Sequence, residues 1–334
     1  MTQASERPPP RPSPQGGGRE GLADYDTASE KRNFGGKLSD WLINNPGSFL
    51  TLLFIPPTLW LGLIYIGSLL LFLGHAFFSI DEFAGTIIYE PTWSTIVQLF
   101  QPANFDIILR TLVMATAVTI ASAIIAYPFA YFAARYAKGK WKAVFYLLVM
   151  LPLWSSYLVK VYSWKLLLSQ EGIIPSVLKY LHLTPLLEAF LQLPVIGGNS
   201  LSTSYFGTFI VFVYIWLPYM ILPTQAALER VPLNLLEASS DLGAWPSQTL
   251  LHVTWPLALP GLIAGSIFTF SLTLGDYIVP QVVGSSTLYI GNAVYLQQGT
   301  AGNLPLAAAF TFVPIIIMLI YLSIAKRMGA FNAL

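Results

Sequence analysis

Residues Pro232 to Gly261 read PLNLLEASSDLGAWPSQTLLHVTWPLALPG, and this stretch decides the fold. Its polar part runs from Glu229 to about His252 and carries Glu229, Arg230, Glu237, Asp241 and His252. It lies between two apolar runs, each long enough for a bilayer core of about 30 Å, which needs about 20 apolar helical residues. The stretch also carries helix punctuation. Pro232 suits a first helical turn, where its missing N–H is no loss. Gly243 suits the left-handed residue that ends a helix. Pro246 starts a second short helix, and Pro256 ends or kinks it. An ordered polar helix pair between two spans is more than a connector needs, and it reads as a docking surface.

Outward from this stretch, the chain of 334 residues is 55% hydrophobic and only 10% charged. A soluble domain carries about 25% charged residues. The net charge of +1 gives no field for nucleic acid, and the absence of cysteine excludes disulfides and thiolate metal sites. Six spans follow from the uncharged runs: Phe49–His75, Thr111–Ala134, Ala143 to about Leu168, Tyr205–Leu228, Val253 to about Tyr277, and Leu304–Ala325. The class is an all-α membrane protein. Lys160 and Lys165 interrupt the third span near its end. Residues Gln170 to Ser204 are broken by Lys179, His182, Pro185, Glu188 and Pro194, so they read as outer-face amphipathic helices rather than a seventh span. Residues 1–45 are rich in Pro, Gly and charge and read as a disordered tail, with a short amphipathic helix over Lys37 to Asn45. Residues 46–334 form the membrane domain.

Lys and Arg set the orientation. Arg135, Lys138, Lys140, Lys142, Arg230, Lys326, Arg327 and the basic residues of the tail fall on one side, and Arg110, Lys160, Lys165 and Lys179 lie outside or near the outer ends. Both termini and the Pro232–Gly261 stretch are therefore expected in the cytoplasm. His75, His182 and His252 are far apart in this topology and make no metal site. No catalytic constellation stands out, and the nearest phosphate-loop candidate, NFGGKLS around Lys37, lacks the first glycine. If ATP drives this machine, another subunit hydrolyses it.

The loop resembles the EAA loop of binding-protein-dependent ABC importer permeases. That family's pattern is Glu-Ala-Ala, three residues, Gly, nine residues, then Ile-x-Leu-Pro. Glu237, Ala238 and Ser239 match its start with Ser for the second Ala, and Gly243 has the required spacing. Val253, Thr254, Trp255 and Pro256 match its end, with Val for Ile and Trp for Leu. The resemblance implies that Glu237, Ala238, Ser239, Asp241, Gly243 and Pro256 form the contact with an ATPase. Two further stretches resemble polyamine permeases for spermidine or putrescine: Leu151–Leu178 (LPLWSSYLVKVYSWKLLLSQEGIIPSVL) and Leu274–Gln297 (LGDYIVPQVVGSSTLYIGNAVYLQ). In the second, Gly275, Asp276, Tyr277, Pro280, Gly284, Ile290, Gly291 and Asn292 sit where that family places such residues. Permeases for opines, amino acids or iron chelates share much of the pattern. The implied partners are an ATPase dimer holding ATP and Mg, a second permease subunit, an extracytoplasmic substrate-binding protein, and the lipid of a bacterial inner membrane. No cofactor is expected on this chain.

Asp276 is the acid at the end of span five. An ionisable group at that depth is a functional candidate, and it can balance a substrate ammonium or pair with Lys160. Tyr277, Trp154, Tyr157 and Trp164 can add cation–π contacts. Tyr214, Trp216 and Tyr219 read either as packing or an aromatic belt, or as a substrate wall. Pro152, Pro218, Pro223 and Pro314 are expected to kink spans. A secondary transporter would need inverted repeats and charged midplane sites, and a membrane enzyme or scaffold would need polar groups clustered at one depth. Neither pattern is evident.

Overall fold

The computed structural model describes residues 46–81, 83–193 and 196–329, with the side chains of Pro46, Ser48 and Phe49 left aside. The tail and its amphipathic helix, expected within residues 1–45, lie outside these residues. The chain divides into two compact units, with the boundary between Leu69 and Leu70. The described part of the first unit is helical. Helix α1 (Pro46–Leu59) passes through a π-helical segment (Trp60–Ile66) into α2 (Gly67–Gly74), and the apolar stretch Leu50–Phe77 is 28 residues long.

The second unit opens with the end of α2 and a 3-10 turn (His75–Phe77), followed by a short antiparallel hairpin, β1 (Ser79–Ile80) with β2 (Ile87–Ile88), and a short helix α3 (Ser94–Gln98). Helix α4 (Pro102–Arg135) follows, with Pro102 in the first turn, where its missing N–H is harmless. Next come α5 (Lys140–Trp154), α6 (Tyr157–Leu168), α7 (Ile173–Tyr180) and α8 (Thr184–Leu191). Helix α9 (Tyr205–Arg230) is capped by Ser204, whose side chain accepts from Gly207 N. The chain continues through α10 (Leu233–Asp241), α11 (Pro246–Thr249), α12 (Trp255–Gly275), α13 (Ile278–Val282), α14 (Ile290–Gln298) and α15 (Leu304–Arg327).

Five helical stretches are long and apolar enough to cross a membrane. The expected third span is the exception: Lys140–Trp154 and Tyr157–Tyr180 meet at a bend of 94°, and six spans result when this bent pair counts as one. The structure thereby corrects the single helix expected over 143–168. Pro152 precedes the break, and its carbonyl, stranded at a helix end, accepts from Ser155 Oγ (2.9 Å) and Lys160 Nζ (2.8 Å). A cation at a helix C-terminus also suits the helix dipole. In contrast, α9 and α15 continue through Pro218, Pro223 and Pro314. Helices α7 and α8 are short, as expected, and turn Ile174, Leu187 and Leu191 towards the core.

The core is built on α9. Its partner α12 approaches closely because Gly261 and Gly265 lack side chains. A Cβ on Gly261 would lie 2.4 Å from Ala227 Cβ and 2.5 Å from Pro223 O, and one on Gly265 would lie 3.0 Å from Met220 Cα. Helix α4 lays Ala126, Ala130 and Ala133, all fully buried, along the same bundle. Ala325 near the end of α15 packs with Ile263 of α12. The ends of α4, α9 and α15 and the start of α5 thus bring Arg135, Lys140, Lys142, Arg230, Lys326 and Arg327 to one end of the bundle, the basic end. Asp276 lies at the far end.

Candidate coupling element and far-end cluster

The Pro232–Gly261 stretch begins with two short helices, α10 and α11. Helix α10 stops at Asp241, and Gly243 adopts φ 77°, the left-handed conformation that returns the chain. Gly243 N donates to Ser240 O at 2.9 Å and Ala244 N to Ser239 O at 3.1 Å, which satisfies the last carbonyls of α10. Helix α11 starts at Pro246, with Trp245 N donating to Gln248 Oε1 at 2.8 Å. The side chains of Ser239 and Thr249 hydrogen-bond across the pair at 2.9 Å. Ser239, a departure from the Glu-Ala-Ala pattern, is therefore the residue that ties the two helices.

Pro256 does not stop the second helix. Residues Leu250–Thr254 form a π-helical turn just before it, and the helical stretch runs on from Pro246 to Gly275. A wide turn gives a proline ring room where the regular ladder would clash. Trp255, the other marked departure, sets its ring edge-on to Tyr127 of α4, with centroids 4.7 Å apart. The pair presents apolar side chains outward: Leu242 is 88% exposed and Trp245 72%. Glu237, Ala238 and Asp241 are exposed as well.

A latch sits where α9 hands over to this element. Glu229 Oε1 accepts from Lys142 Nζ at 3.0 Å, Tyr146 Oη at 2.8 Å and Gln225 Nε2 at 3.2 Å. Arg135 Nη2 donates to Val231 O at 3.1 Å. The last turn of α9 is thereby joined to α4 and α5.

At the far end, Asp276 follows the last residue of α12. Its Oδ1 accepts from Ile278 N (2.7 Å) and Val279 N (3.1 Å), starting α13, and its Oδ2 accepts from Tyr157 Oη. Lys160 goes to Pro152 O, so the Lys160–Asp276 pair, one of the alternatives read from the sequence, is not formed; the helix break supplied another acceptor. Tyr157 stacks on Trp216 at 5.9 Å, Trp216 meets Tyr219 at 5.8 Å, and Trp164 meets Tyr214 at 5.1 Å. Tyr277 stacks on Tyr295 at 5.0 Å. Trp154, 77% exposed, does not join these ring pairs. No group of three or more His, Cys, Asp or Glu able to hold a metal occurs among the described residues.

Residues 126–330 match the family described as binding-protein-dependent transport system inner membrane component. The chain belongs to this family of ABC importer permeases. The matched residues contain both the helix pair and the far-end cluster. The chain is 59% identical over 299 residues to the inner membrane ABC transporter permease protein YdcU of Escherichia coli (strain K12), covering 90% of this chain and 96% of that one. It is 30% identical over 262 residues to the spermidine/putrescine transport system permease protein PotB of Escherichia coli (strain K12), covering 78% and 90%. A solved bacterial alginate ABC transporter, in complex with alginate pentasaccharide-bound periplasmic protein, has the same fold, with a TM-score of 0.64 at 18% identity over 86% of this chain and 96% of that one.

In this permease the sequence pattern located the helix pair but gave Glu229 no role, read Arg135 and Lys142 only as orientation signals, and missed Tyr146. An acid at the end of one apolar run and a base at the start of another were the available signal. Tyr146 lies 83 positions from Glu229, too far for spacing to connect them.

Proposed function

We propose that this permease subunit imports a polyamine such as putrescine or spermidine, driven by an ATPase dimer that docks on the α10–α11 pair. The observation that carries the docking assignment is the exposed, internally tied helix pair. An element fixed by Ser239–Thr249 and a Gly243 turn moves as one body, and exposed Leu242 and Trp245 offer apolar anchors for a cleft. ATP binding would pull the pair and, through the Glu229 latch, the basic ends of α4, α5 and α9. The basic end is cytoplasmic in this reading, which rests on the Lys and Arg bias. The other partners are a second permease subunit and an extracytoplasmic binding protein. This chain itself binds neither ATP nor Mg.

The polyamine assignment is supported by the relationship to spermidine/putrescine permeases and by the aromatic side chains around Tyr157 and Trp216. Asp276 spends its carboxylate on Tyr157 and two backbone amides, so it shapes the path rather than meeting the ammonium first. The test is uptake into proteoliposomes holding the purified complex, with labelled putrescine and spermidine offered through the co-purifying binding protein. ATP-dependent accumulation of either supports the reading. Accumulation of only an opine, an amino acid or an iron chelate replaces the substrate, and uptake that survives ATP depletion but not loss of an ion gradient overturns the mechanism.

A further inference from the structure

A cavity of about 460 Å³ lies at the far end, between α4 and α9, and neither the helix pair nor Asp276 lines it. Its lower wall is apolar. Leu109, Val113 and Ala117 recur every four residues along one face of α4 and oppose Phe206 and Phe209 of α9. Its lip is polar, formed by Asp106, Arg110, Tyr205 and Tyr289.

The lip holds more donors than acceptors. Arg110 Nη2 donates to Asp106 Oδ2, and Arg110 Nη1 makes a long contact of 3.5 Å with Leu288 O. The guanidinium lies 5.8 Å from the Tyr205 ring centroid. A guanidinium carries five N–H groups, so this set leaves donors over. Tyr289 is 3% exposed, and its buried hydroxyl has no hydrogen-bond partner among the described residues. Arg110 and Tyr205 line the same cavity as Tyr289. The Asp106 side chain is 58% exposed and that of Arg110 23%, so the acid lies outward and the cation inward. A buried donor without an acceptor is costly, and here the unpartnered Tyr289 hydroxyl and Arg110 belong to the lining of one cavity with an apolar slot. The helix rise from Asp106 to Ala117 is about 16 Å, close to the roughly 15 Å of one leaflet of a bilayer core.

We propose that this cavity binds an anionic phospholipid, with its phosphate against Arg110 and the Tyr289 hydroxyl and one acyl chain along Val113, Ala117 and Phe209. The phosphate supplies the acceptors the lip lacks, and the chain fills a slot that would otherwise be void. Two exposed residues of the wall, Leu109 and Val113, open the slot sideways along α4, the direction from which a lipid enters.

The test uses the assembled transporter, delipidated in neutral detergent, with phosphatidylglycerol or phosphatidylcholine carrying the same photoreactive acyl chain. Crosslinked peptides are mapped by mass spectrometry. Phosphatidylglycerol should label the Leu109–Ala117 peptide about five-fold more than phosphatidylcholine, the discrimination one interfacial cation supplies. Arg110→Gln should abolish that preference, and Tyr289→Phe, which keeps the ring, should at least halve it. Ala117→Phe should reduce labelling by both lipids. If Arg110→Gln does not assemble, Tyr289→Phe decides. Equal labelling by the two lipids overturns the proposal, as does an unchanged preference in the variants. Competition by inorganic phosphate alone would reduce the site to an anion pocket. Absence of any label in the assembled complex would assign the groove to a helix of the second permease.

Discussion

Glu229 Oε1 receives Lys142, Tyr146 and Gln225, so one carboxylate joins α5 to α9 just before Arg230 ends the helix. Glu229→Gln removes the charge but keeps a carbonyl oxygen that still accepts from Lys142. The pair is partly exposed, at 39% and 27%, so solvent screens it and the cost falls below the range for buried charged hydrogen bonds, to about 1 kcal/mol. Thermal unfolding of the purified complex should show the loss. A double-mutant cycle with Lys142→Met should show that most of it is shared between the two residues. Gly243 makes a different prediction. A Cβ there meets nothing within 4 Å, so Gly243→Ala costs only the left-handed backbone, about 1–2 kcal/mol. Gly243→Asn should cost less, because Asn tolerates that conformation. Amide hydrogen exchange over 238–249 should rise in the order Gly, Asn, Ala.

At the scale of elements, α9 and α12 are the rigid pair on either side of the loop. Gly261→Val sets branched carbons where even a Cβ lies 2.5 Å from Pro223 O, a backbone atom that cannot swing aside. The expected destabilisation is about 1–3 kcal/mol. Gly275, whose Cβ would meet nothing, should accept Ala with little change, and unfolding of both variants checks the contrast. The helices themselves were legible in the sequence, because hydropathy alone separates spans from polar loops. The break at 155–156 was not. Lys160 reads as an outer-edge cation, and only the stranded Pro152 carbonyl explains its position. Asp276 was legible as a special acid, but its work as the start of α13 depends on backbone amides that composition does not reveal. Trp255 reads as a misfit to its pattern, and it fits because Tyr127 of α4 stands opposite.

For the whole molecule, the docking proposed above requires motion to pass from the helix pair into the bundle. Two routes leave the pair. One is covalent, through the continuous helical stretch Pro246–Gly275; the other runs through Val231 and Glu229 to α4 and α5. Glu237 is exposed on α10 and takes no part in either, so its substitution leaves the bundle intact. Glu237→Lys should therefore insert and fold normally, with thermal unfolding within about 0.5 kcal/mol of the parent, as for a surface substitution away from such features. Reversing a charge at a docking face removes one attraction and adds a repulsion, and a desolvated pair lost at an interface costs about 2–5 kcal/mol, enough to abolish stimulation of ATP hydrolysis by substrate-loaded binding protein. The reconstituted complex, assayed with and without loaded binding protein, reads this directly. Normal stimulation in the variant would remove Glu237 from the ATPase contact, whereas lost stimulation with unchanged stability would locate the defect at the docking face rather than in the bundle.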